Sequence, residues 1–267
     1  MHSTRWQPTP LVHATLVLHA LALVAVIAAP ELWRWALGAV ISNHLLLAAV
    51  GLWPRSHWLG PNWTRLPAAA AARQEIALTI DDGPDPMVTP QVLDILDQYA
   101  AQATFFCIGE HAARYPALCR EIVRRGHAIE NHSQQHRHNF SLLGARGFTR
   151  EIQAAQDTLT AITGQRPLFF RAPAGLRNPF LDPILNQLGL TLASWSVRGF
   201  DTRVSNAAQV KHKLLRKLHA GAILLLHDGN AARTTNGIPI ILAVLPDVLE
   251  SAAASQLRWV TLRHALT

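Results

Sequence analysis

The fold is decided by residues 75–84, which read Glu-Ile-Ala-Leu-Thr-Ile-Asp-Asp-Gly-Pro. The apolar run is short and rich in residues that favour β-structure, so it predicts a buried strand that ends at the Gly-Pro pair. Asp81 and Asp82 then lie at the carboxyl end of the strand, where α/β proteins carry their chemistry. Two carboxylates this close need a cation or a shared proton. Taken alone, however, Asp-Asp-Gly-Pro is equally compatible with the start of a solvated loop.

The composition excludes a disordered chain and favours membrane segments. Of the 267 residues, 49% are hydrophobic and 15% are charged, with a formal net charge of +7. There is no long Lys/Arg block and no interleaving of aromatic with basic residues. The charge therefore predicts contact with anionic lipid or anionic glycan, and no nucleic-acid partner is expected. Cys107 and Cys119 are too few for a disulfide framework or a cysteine zinc site.

Two runs without charged residues, 11–29 and 35–53, precede the first strand. Each is close to the roughly 20 residues that a helix needs to cross a bilayer, and tryptophans gather at their ends as in an interfacial belt. The runs predict a hairpin of two transmembrane helices within residues 1–53. A linker over 54–73 and a soluble domain over 74–267 are expected to follow. The alternative is a cleaved signal peptide followed by a buried helix.

The arginines that flank the hairpin indicate its orientation. Arg5, Arg55, Arg65 and Arg73 lie on the side of the soluble domain, whereas Arg34 alone lies on the other side. The positive-inside rule therefore favours a multi-pass protein of the bacterial inner membrane with its large domain in the cytoplasm.

From residue 74 onward, strand and helix patterns alternate. Strands are predicted over 76–80, 103–108, 128–131, 168–171, 191–197, 222–227 and 259–262, and helices over 89–99, 116–125, 149–163, 178–188, 206–218 and 240–255. Repeated β-α units of this length predict an α/β fold with a parallel sheet covered by helices. The seven predicted strands favour a closed or nearly closed barrel over an open sheet.

Polar residues follow the ends of most of these strands. They are Asp81 and Asp82, His132, Arg171, Asp201, and His227 with Asp228. A barrel brings the carboxyl ends of its strands together on one face, so we expect these residues to converge on a single site.

His132 and His136 are four residues apart. If the segment turned helically after its strand, both imidazoles would lie on one face. Two histidines and one carboxylate form a common catalytic zinc set with a position left for water, and Asp82 could supply the carboxylate. The alternative is that His136 and His138 are exposed residues of a histidine-rich turn.

Four motifs occur in order along this domain. They are Asp81-Asp82-Gly83-Pro84, His132-Ser133-x-x-His136, Arg171-x-Pro173-x-Gly175 and Ile223-x-Leu225-x-His227-Asp228. These motifs resemble the first, second, third and fifth motifs of the NodB-homology polysaccharide deacetylases, carbohydrate esterase family four. The resemblance covers roughly residues 74–264. It implies a distorted (β/α) barrel of about seven parallel strands, here preceded by the two transmembrane helices.

The resemblance also implies a metal site. Asp82, His132 and His136 match the family's metal ligands, so the expected cofactor is a divalent ion, Zn²⁺ first, with Co²⁺, Ni²⁺ or Mn²⁺ as alternatives. Such an ion would activate water and polarise an amide carbonyl.

The remaining catalytic roles follow from the same resemblance. Asp81 matches the catalytic base, and Arg171 matches the residue that holds the base carboxylate in place. His227 matches the general acid, and Asp201 falls where a carboxylate tunes that histidine. A histidine near its working pKa can deliver the proton that a leaving amine needs.

The substrate-binding residues are less well matched to the family pattern. They are expected to be Pro173, Gly175, Trp195, Arg198 and Leu225. Leu176 stands where an aromatic ring is frequent, Arg198 where an Asp is usual, and Thr202 where a Trp is usual. Arg198 could face an anionic group on the substrate, such as a phosphate, or form a salt bridge with Asp201 or Asp228.

The sequence thus predicts a membrane-anchored, metal-dependent hydrolase that removes N-acetyl groups from a polysaccharide or oligosaccharide. One alternative substrate is a lipid-linked sugar or glycolipid deacylated at the membrane surface, with membrane lipid as a further partner. Another alternative is an inactive barrel that binds glycan without hydrolysing it.

Overall fold

The computed structural model describes residues 6–267, and its centre is a sheet of eight strands. The strands are β1 (Glu75–Asp81), β2 (Ala103–Cys107), β3 (Ala128–Asn131), β4 (Phe169–Phe170), β5 (Thr191–Leu192), β6 (Val197–Arg198), β7 (Ile223–His227) and β8 (Arg258–Trp259). Seven follow the parallel order β5-β4-β3-β2-β1-β7-β6, and β8 pairs with the first residues of β1. The predicted α/β barrel class is confirmed, in the form of a half-barrel.

Ten α-helices precede or connect these strands in the described part of the chain. They are α1 (Pro10–Ala28), α2 (Trp33–Gly51), α3 (Ala68–Ala72), α4 (Thr89–Gln98), α5 (Gly109–Arg114), α6 (Pro116–Arg124), α7 (Ala145–Thr163), α8 (Leu181–Leu188), α9 (Ala207–Leu215) and α10 (Ile240–Ala254). Side chains of α4, α9 and α10 cover the outer faces of β1 and β7 in one apolar cluster. Most helices therefore lie on the outside of the sheet, as the β-α alternation predicts.

The two faces of β1 differ in chemistry. Successive side chains of a strand point to opposite faces, and Ile76, Leu78 and Ile80 join the apolar cluster under the helices. Thr79 and Asp81 are buried on the opposite, inner face. The inner face of β1 thus becomes polar toward its carboxyl end, which is where the candidate site lies.

The strand predicted over 191–197 is wrong as a single element. It is divided into β5 and β6, and Trp63 of the segment after α2 pairs with the chain between them. The Trp63 amide donates to Leu192 O at 2.8 Å, and the Ser194 amide donates to Trp63 O at 2.8 Å. Because this distant segment supplies the hydrogen-bond partner beyond β5, β5 and β6 do not pair with each other in the described structure, and the barrel is not closed by a continuous ladder.

The segment over 54–73 packs on the barrel. Leu59, Leu66 and Ala70 are buried, and Arg65 forms an antiparallel bridge with Ala222, the residue before β7. The division into 1–53, 54–73 and 74–267 stays a prediction, and the packing shows that the middle segment helps to complete the wall of the half-barrel.

The two N-terminal helices pack against each other and dock on the barrel at one end. Both segments, Pro10–Ala28 and Pro30–Gly51, are long and apolar enough to cross a membrane. The rings of His19 and His44 meet edge to face between the helices, with centroids 5.1 Å apart. At the base, the Arg177 amide donates to Gly51 O at 3.2 Å. A membrane hairpin agrees with this arrangement and stays a prediction.

Candidate active site

Asp81, at the end of β1, is held by Arg171, which follows β4. Arg171 is 1% exposed, and its Nη1 donates to Asp81 Oδ1 at 2.6 Å and to Thr79 Oγ1 at 2.8 Å. Its Nε and Nη2 donate to the carbonyl oxygens of Ala193 and Ser194 at 3.0 and 2.8 Å. These hydrogen bonds fix the position of the guanidinium, and with it the position of Asp81 Oδ1. Arg171 does not bind the second carboxylate oxygen, Oδ2, which is therefore able to accept a proton.

Thr79 completes the support behind Asp81. Its hydroxyl donates to Leu224 O at 2.6 Å and accepts from Arg171. Thr79 is not among the residues predicted for the site. It stands two residues before Asp81 and thus on the same face of a fully buried strand. A polar residue at that position of an otherwise apolar run is the signal that could have identified it.

Asp82, His132 and His136 form a compact cluster beside Asp81. Asp82 Oδ1 lies 3.2 Å from His132 Nε2 and 3.2 Å from His136 Nε2. Asp82 adopts a left-handed backbone conformation with φ of 74°, which Asp tolerates better than most residues. That conformation turns the Asp82 carboxylate toward the histidines just after the strand ends.

The protonation states in this cluster follow from its contacts. His132 Nδ1 lies 2.8 Å from Arg171 O, a carbonyl that can only accept, so Nδ1 carries a hydrogen and Nε2 faces Asp82. Burial lowers the pKa of His132, but the negative charges of Asp81 and Asp82 raise it above its ordinary value overall, so the protonated ring donates from Nε2 to Asp82, and a bound metal would take the place of this proton. Burial holds the pKa of His136 at about 4. Burial opposes ionisation of Asp82, but its hydrogen bond with His132 and the positive charge of that ring prevail, so the pKa of Asp82 lies well below its usual range.

The two histidines meet because of a loop, and the expectation of a helical turn is wrong. Ser133 and His136 have positive φ values of 63° and 50°, which no α-helix contains. Asn131 Oδ1 accepts from the Ser133 amide at 2.9 Å, and Ser133 Oγ accepts from the His136 amide at 3.0 Å. These side-chain hydrogen bonds curl the loop so that the imidazole rings lie with centroids 4.7 Å apart.

The cluster has the geometry that a small divalent metal requires. Ligand atoms about 2.0–2.1 Å from a tetrahedral zinc stand about 3.3 Å from one another, and the two distances from Asp82 Oδ1 are 3.2 Å. The three ligand atoms all lie within 4.8 Å of one another. His132 is already oriented by its hydrogen bond to a backbone carbonyl, as metal-binding histidines usually are. The donor set, one carboxylate and two imidazoles, fits Zn²⁺.

His227, at the end of β7, is paired with Asp201. The two oxygens of Asp201 accept from the His227 amide at 2.7 Å and from Nδ1 at 3.1 Å. Nδ1 therefore carries a hydrogen, and a proton for transfer sits on Nε2. Burial lowers the pKa of His227, but the negative charge of Asp201 and its hydrogen bond raise it above its ordinary value overall.

Asp228 supports the turn after β1. Its carboxylate accepts from the Thr89 hydroxyl and from the Gly229 amide, and burial raises its pKa to about 7. A Cβ added to Gly83 would collide with this carboxylate, so the two are in close contact and Gly83 can only be glycine here.

The predicted substrate residues lie at different depths. Pro173, Gly175 and Leu225 are buried, and Leu225 packs in the interior apolar cluster. The ring of Trp195 lies 5.8 Å from the Arg171 guanidinium carbon and 5.3 Å from that of Arg198. Their contact with substrate stays a prediction.

Arg198 forms neither of the salt bridges considered for it. No ion pair of Arg198 occurs in the described residues, since Asp201 is engaged by His227 and Asp228 by Thr89. Its guanidinium instead stacks near the rings of Trp195 and Phe200.

Two further polar side chains contact Asp82. Asn230 Nδ2 lies 3.4 Å from Asp82 Oδ2, and His111 Nδ1 donates to Asp82 O at 3.0 Å. The sequence gives no pattern for His111, because it lies in the short helix α5, which was not predicted.

Comparisons with known proteins show what this chain is similar to in sequence and in fold. The family model described as Polysaccharide deacetylase matches residues 68–193. The chain is 37% identical over 158 residues, 59% of its length, to a chitooligosaccharide deacetylase of Azorhizobium caulinodans, of which it covers 75%. A solved peptidoglycan N-acetylglucosamine deacetylase superposes with a TM-score of 0.69 and 26% identity, covering 76% of this chain and 92% of that one. A family 4 carbohydrate esterase from Streptomyces lividans, solved with acetate, gives a TM-score of 0.63 and 30% identity, covering 69% and 91%.

Proposed function

The chain belongs to the polysaccharide deacetylase family, and from that membership we propose that it removes N-acetyl groups from a glycan with Asp81 as base and His227 as acid. It is a hydrolase of carbon–nitrogen bonds other than peptide bonds. The observation that carries the proposal is the meeting of Asp81, His227 and the Asp82–His132–His136 cluster at the carboxyl ends of β1, β3 and β7.

Asp82, His132 and His136 are the proposed ligands of a divalent metal, with Zn²⁺ preferred for its ligand types and spacing. A bound metal supplies a Lewis acid that polarises the substrate's amide carbonyl. Asn230 and Asp81 lie beside the cluster, with Asp81 Oδ2 3.9 Å from His132 Nε2.

Asp81 is the proposed general base. Arg171 occupies Oδ1, so Oδ2 takes the proton from the attacking water whose hydroxyl adds to the acetyl carbon. A fixed guanidinium keeps the Asp81 carboxylate ionised and aligned. The carboxylate therefore does not have to reorient during the reaction.

His227 is the proposed general acid. Its Nδ1 is committed to Asp201, so Nε2 gives its proton to the nitrogen as the carbon–nitrogen bond breaks, and the products are acetate and a free amine. Because Asp201 raises the pKa of His227, the acid form persists near neutral pH.

The substrate is tested by acetate release from the full-length protein in detergent micelles, reloaded with zinc. Arms of the experiment contain N-acetylglucosamine oligomers, peptidoglycan fragments and a glycolipid extract of membranes. Release from any arm supports deacetylation and selects the substrate class. Absence of release from all three, with zinc bound at one equivalent, would contradict the proposal and favour the inactive glycan-binding barrel.

A second candidate substrate, a lipid-linked sugar or glycolipid, is favoured by an apolar groove of about 800 Å³. One wall is formed by α1 and α2, with Leu16 and Leu47, and the other by the loops after β3 and β4, with Leu142 and Phe180. The same two loops begin at His132 and Arg171. A hydrocarbon chain in this groove would lie between the helices proposed for the membrane and the catalytic end of the barrel.

The lipid-linked candidate makes a separate prediction about the groove. Leu142→Asp is expected to reduce acetate release from the glycolipid extract while leaving release from soluble oligomers unchanged, because a charge in the groove disfavours a hydrocarbon chain. An equal effect on both substrates would count against a lipid tail in this groove.

We also propose that α1 and α2 span the bacterial inner membrane, with the barrel on the cytoplasmic side. Cys107 and Cys119 are both buried, so labelling of an introduced exposed cysteine has little background. Ser255→Cys should react with a membrane-impermeant maleimide after lysis and not in spheroplasts. Labelling in spheroplasts would place the barrel outside.

A further inference from the structure

Two adjoining cavities beside β6 are lined by a concentration of positive charge. The first, of about 200 Å³, is lined by Arg198, Phe200, Lys213, Arg216 and Lys217. The second, of about 480 Å³, shares Arg216 and Lys217 and extends past Arg55 and Arg65 to Trp53. Together, six Arg or Lys side chains line the two cavities, and no Asp or Glu is among the described residues that line them.

The cations of these cavities are not neutralised. In the described structure, none of Arg198, Lys213 and Lys217 has a carboxylate within 4.0 Å, whereas Lys211, two residues before Lys213 on α9, pairs with Asp247 at 2.8 Å. Like charges gathered without counter-charges raise the local potential and attract an anion. The contrast within one helix indicates that the unpaired face of α9 differs from an ordinary solvated surface.

Arg198 is oriented as an anion-binding group would be. Its guanidinium carbon lies 5.3 Å from the centroid of Trp195 and 5.2 Å from that of Phe200. Its Nε is buried and has no hydrogen-bond partner in the described structure. A guanidinium held by aromatic faces keeps its N–H edge free for a planar or tetrahedral oxyanion. Lys213 Nζ approaches the same Phe200 ring at 5.1 Å.

The first cavity is linked to the proposed active site through short connections. Phe200 directly precedes Asp201, whose carboxylate holds His227. Trp195 lies between Arg198 and Arg171, the residue that fixes Asp81. An anion bound by Arg198 would thus lie beside Phe200, the residue that directly precedes the acid's partner Asp201. The second cavity reaches Trp53, just beyond the end of α2.

We propose that the first cavity is a phosphate-binding site, in which Arg198, Lys213 and the shared Arg216 and Lys217 bind a phosphoryl group attached to the sugar that is deacetylated. This inference rests on the proposed function and specifies its substrate as a phosphorylated sugar. The phosphate group is the same chemistry whether it belongs to a soluble sugar phosphate or to a membrane lipid that carries the sugar.

The site is tested first without any hydrolysis. Inorganic diphosphate is titrated into the full-length protein in detergent at low ionic strength, and binding is measured by calorimetry. Removing one charge-assisted hydrogen bond costs about a factor of ten or more in affinity, so Arg198→Gln and Lys213→Gln should each weaken binding at least about tenfold. Lys211→Gln, the matched control on the same helix, should leave binding unchanged. Absence of diphosphate binding, or equal binding by Arg198→Gln, would overturn the proposal.

Further measurements distinguish loss of binding from loss of folding and identify the source of the phosphate group. The melting temperature of each variant shows whether it is folded, and Arg198→Lys, which keeps the charge but loses the planar fork, should bind with intermediate affinity. If the group belongs to a lipid, vesicles that carry a sugar phosphate lipid should displace diphosphate at a lower phosphate concentration than a soluble sugar phosphate does. The reverse result assigns the site to soluble substrates, and competition by neither overturns the substrate assignment.

Failure of this inference can be distinguished from failure of the proposed function. Acetate release without diphosphate binding would contradict only the phosphate site. Diphosphate binding that depends on Arg198, without acetate release from any substrate, would contradict the deacetylase proposal and the substrate assigned to the phosphate site, but not the site itself.

Discussion

Asp81 and His227 are register partners in the parallel pairing of β1 with β7, and a different charged residue holds each of them. Arg171 Nη1 lies 2.6 Å from Asp81 Oδ1, and Asp201 Oδ1 lies 3.1 Å from His227 Nδ1. Neighbouring strands are about 4.8 Å apart, so the proposed base and acid are anchored a strand's width from each other. The cluster of Asp82, His132 and His136 lies beside them, so a scissile amide could be approached from both sides.

Replacing the proposed base tests its role without disturbing the cluster. Asp81→Asn keeps the shape of the side chain, but an amide cannot take a proton from water. Since a general base contributes about 10²–10⁴ in rate, we expect kcat to fall by about that factor while bound zinc stays at the wild-type level. Acetate release and metal content measured on the same sample check this. A variant that turns over within about tenfold of the wild type would exclude Asp81 as the base.

Removing Arg171 tests whether the Asp81 carboxylate depends on its partner. Arg171→Met leaves Asp81 ionised, buried and unpaired, and breaking such a pair costs about 3–5 kcal/mol. We expect the free energy of unfolding of the full-length protein to fall by about that amount, measured by chemical denaturation in detergent. The double variant with Asp81→Asn should lose less than the sum of the single losses, because the unpaired charge is gone. Additive losses would show that Arg171 stabilises only through its bonds to Ala193 and Ser194.

The pH dependence of turnover tests the pairing of His227 with Asp201. Asp201 raises the pKa of His227, so the acid form is retained to higher pH than that of a free imidazole. Asp201→Asn removes the negative charge and lowers this pKa, and the alkaline limb of the kcat profile should therefore move to lower pH. An unchanged alkaline limb would mean that His227 is not the group that titrates there.

A buried histidine far from the chemistry predicts acid sensitivity of the fold. His127 Nδ1 accepts from the Ala103 amide at 3.2 Å, its Nε2 has no partner in the described structure, and burial lowers its pKa to about 4. Between about pH 6.5 and 4 the unfolded chain binds a proton that the folded protein does not, so stability is lost as the pH falls through this window, by up to about 3 kcal/mol.

The matched variant for this effect is His127→Asn, which keeps an acceptor near the position of Nδ1 but does not titrate. Its free energy of unfolding should be lower than that of the wild type at neutral pH and should change less between pH 6.5 and 4. Equal pH slopes for the two proteins would assign the acid sensitivity to other groups.

The sequence predicted the sheet and the position of the site because both depend on local signals. The buried run that ends at Asp81 is a strand under any tertiary arrangement, and polar residues after successive parallel strands must lie at one edge of the sheet. The meeting of His132 with Asp82 follows from that rule alone. Their roles as metal ligands, and that of His227 as acid, stay predictions.

The features that the sequence did not predict depend on contacts between distant segments. Trp63 separates β5 from β6 by hydrogen bonding with Leu192 and Ser194. The sequence of 191–197 alone cannot predict this contact, because Trp63 lies far away in the chain. The loop from His132 to His136 is shaped by hydrogen bonds that the Asn131 and Ser133 side chains accept from backbone amides. The four-residue spacing of the histidines therefore does not reflect a helical turn. Helix α7 begins at Ala145, four residues before the start predicted at 149, and the Thr149 hydroxyl donates to Ala145 O inside the helix.

The central claim, that a metal held by Asp82, His132 and His136 serves a deacetylase, is tested most directly by one paired measurement. Zinc content and acetate release are determined on the same preparations of the wild type, Asp82→Ala and His138→Ala, a control that changes a nearby histidine outside the cluster. We expect Asp82→Ala to lose zinc and acetate release together, and His138→Ala to keep both. Acetate release by Asp82→Ala in the absence of bound metal would contradict the claim.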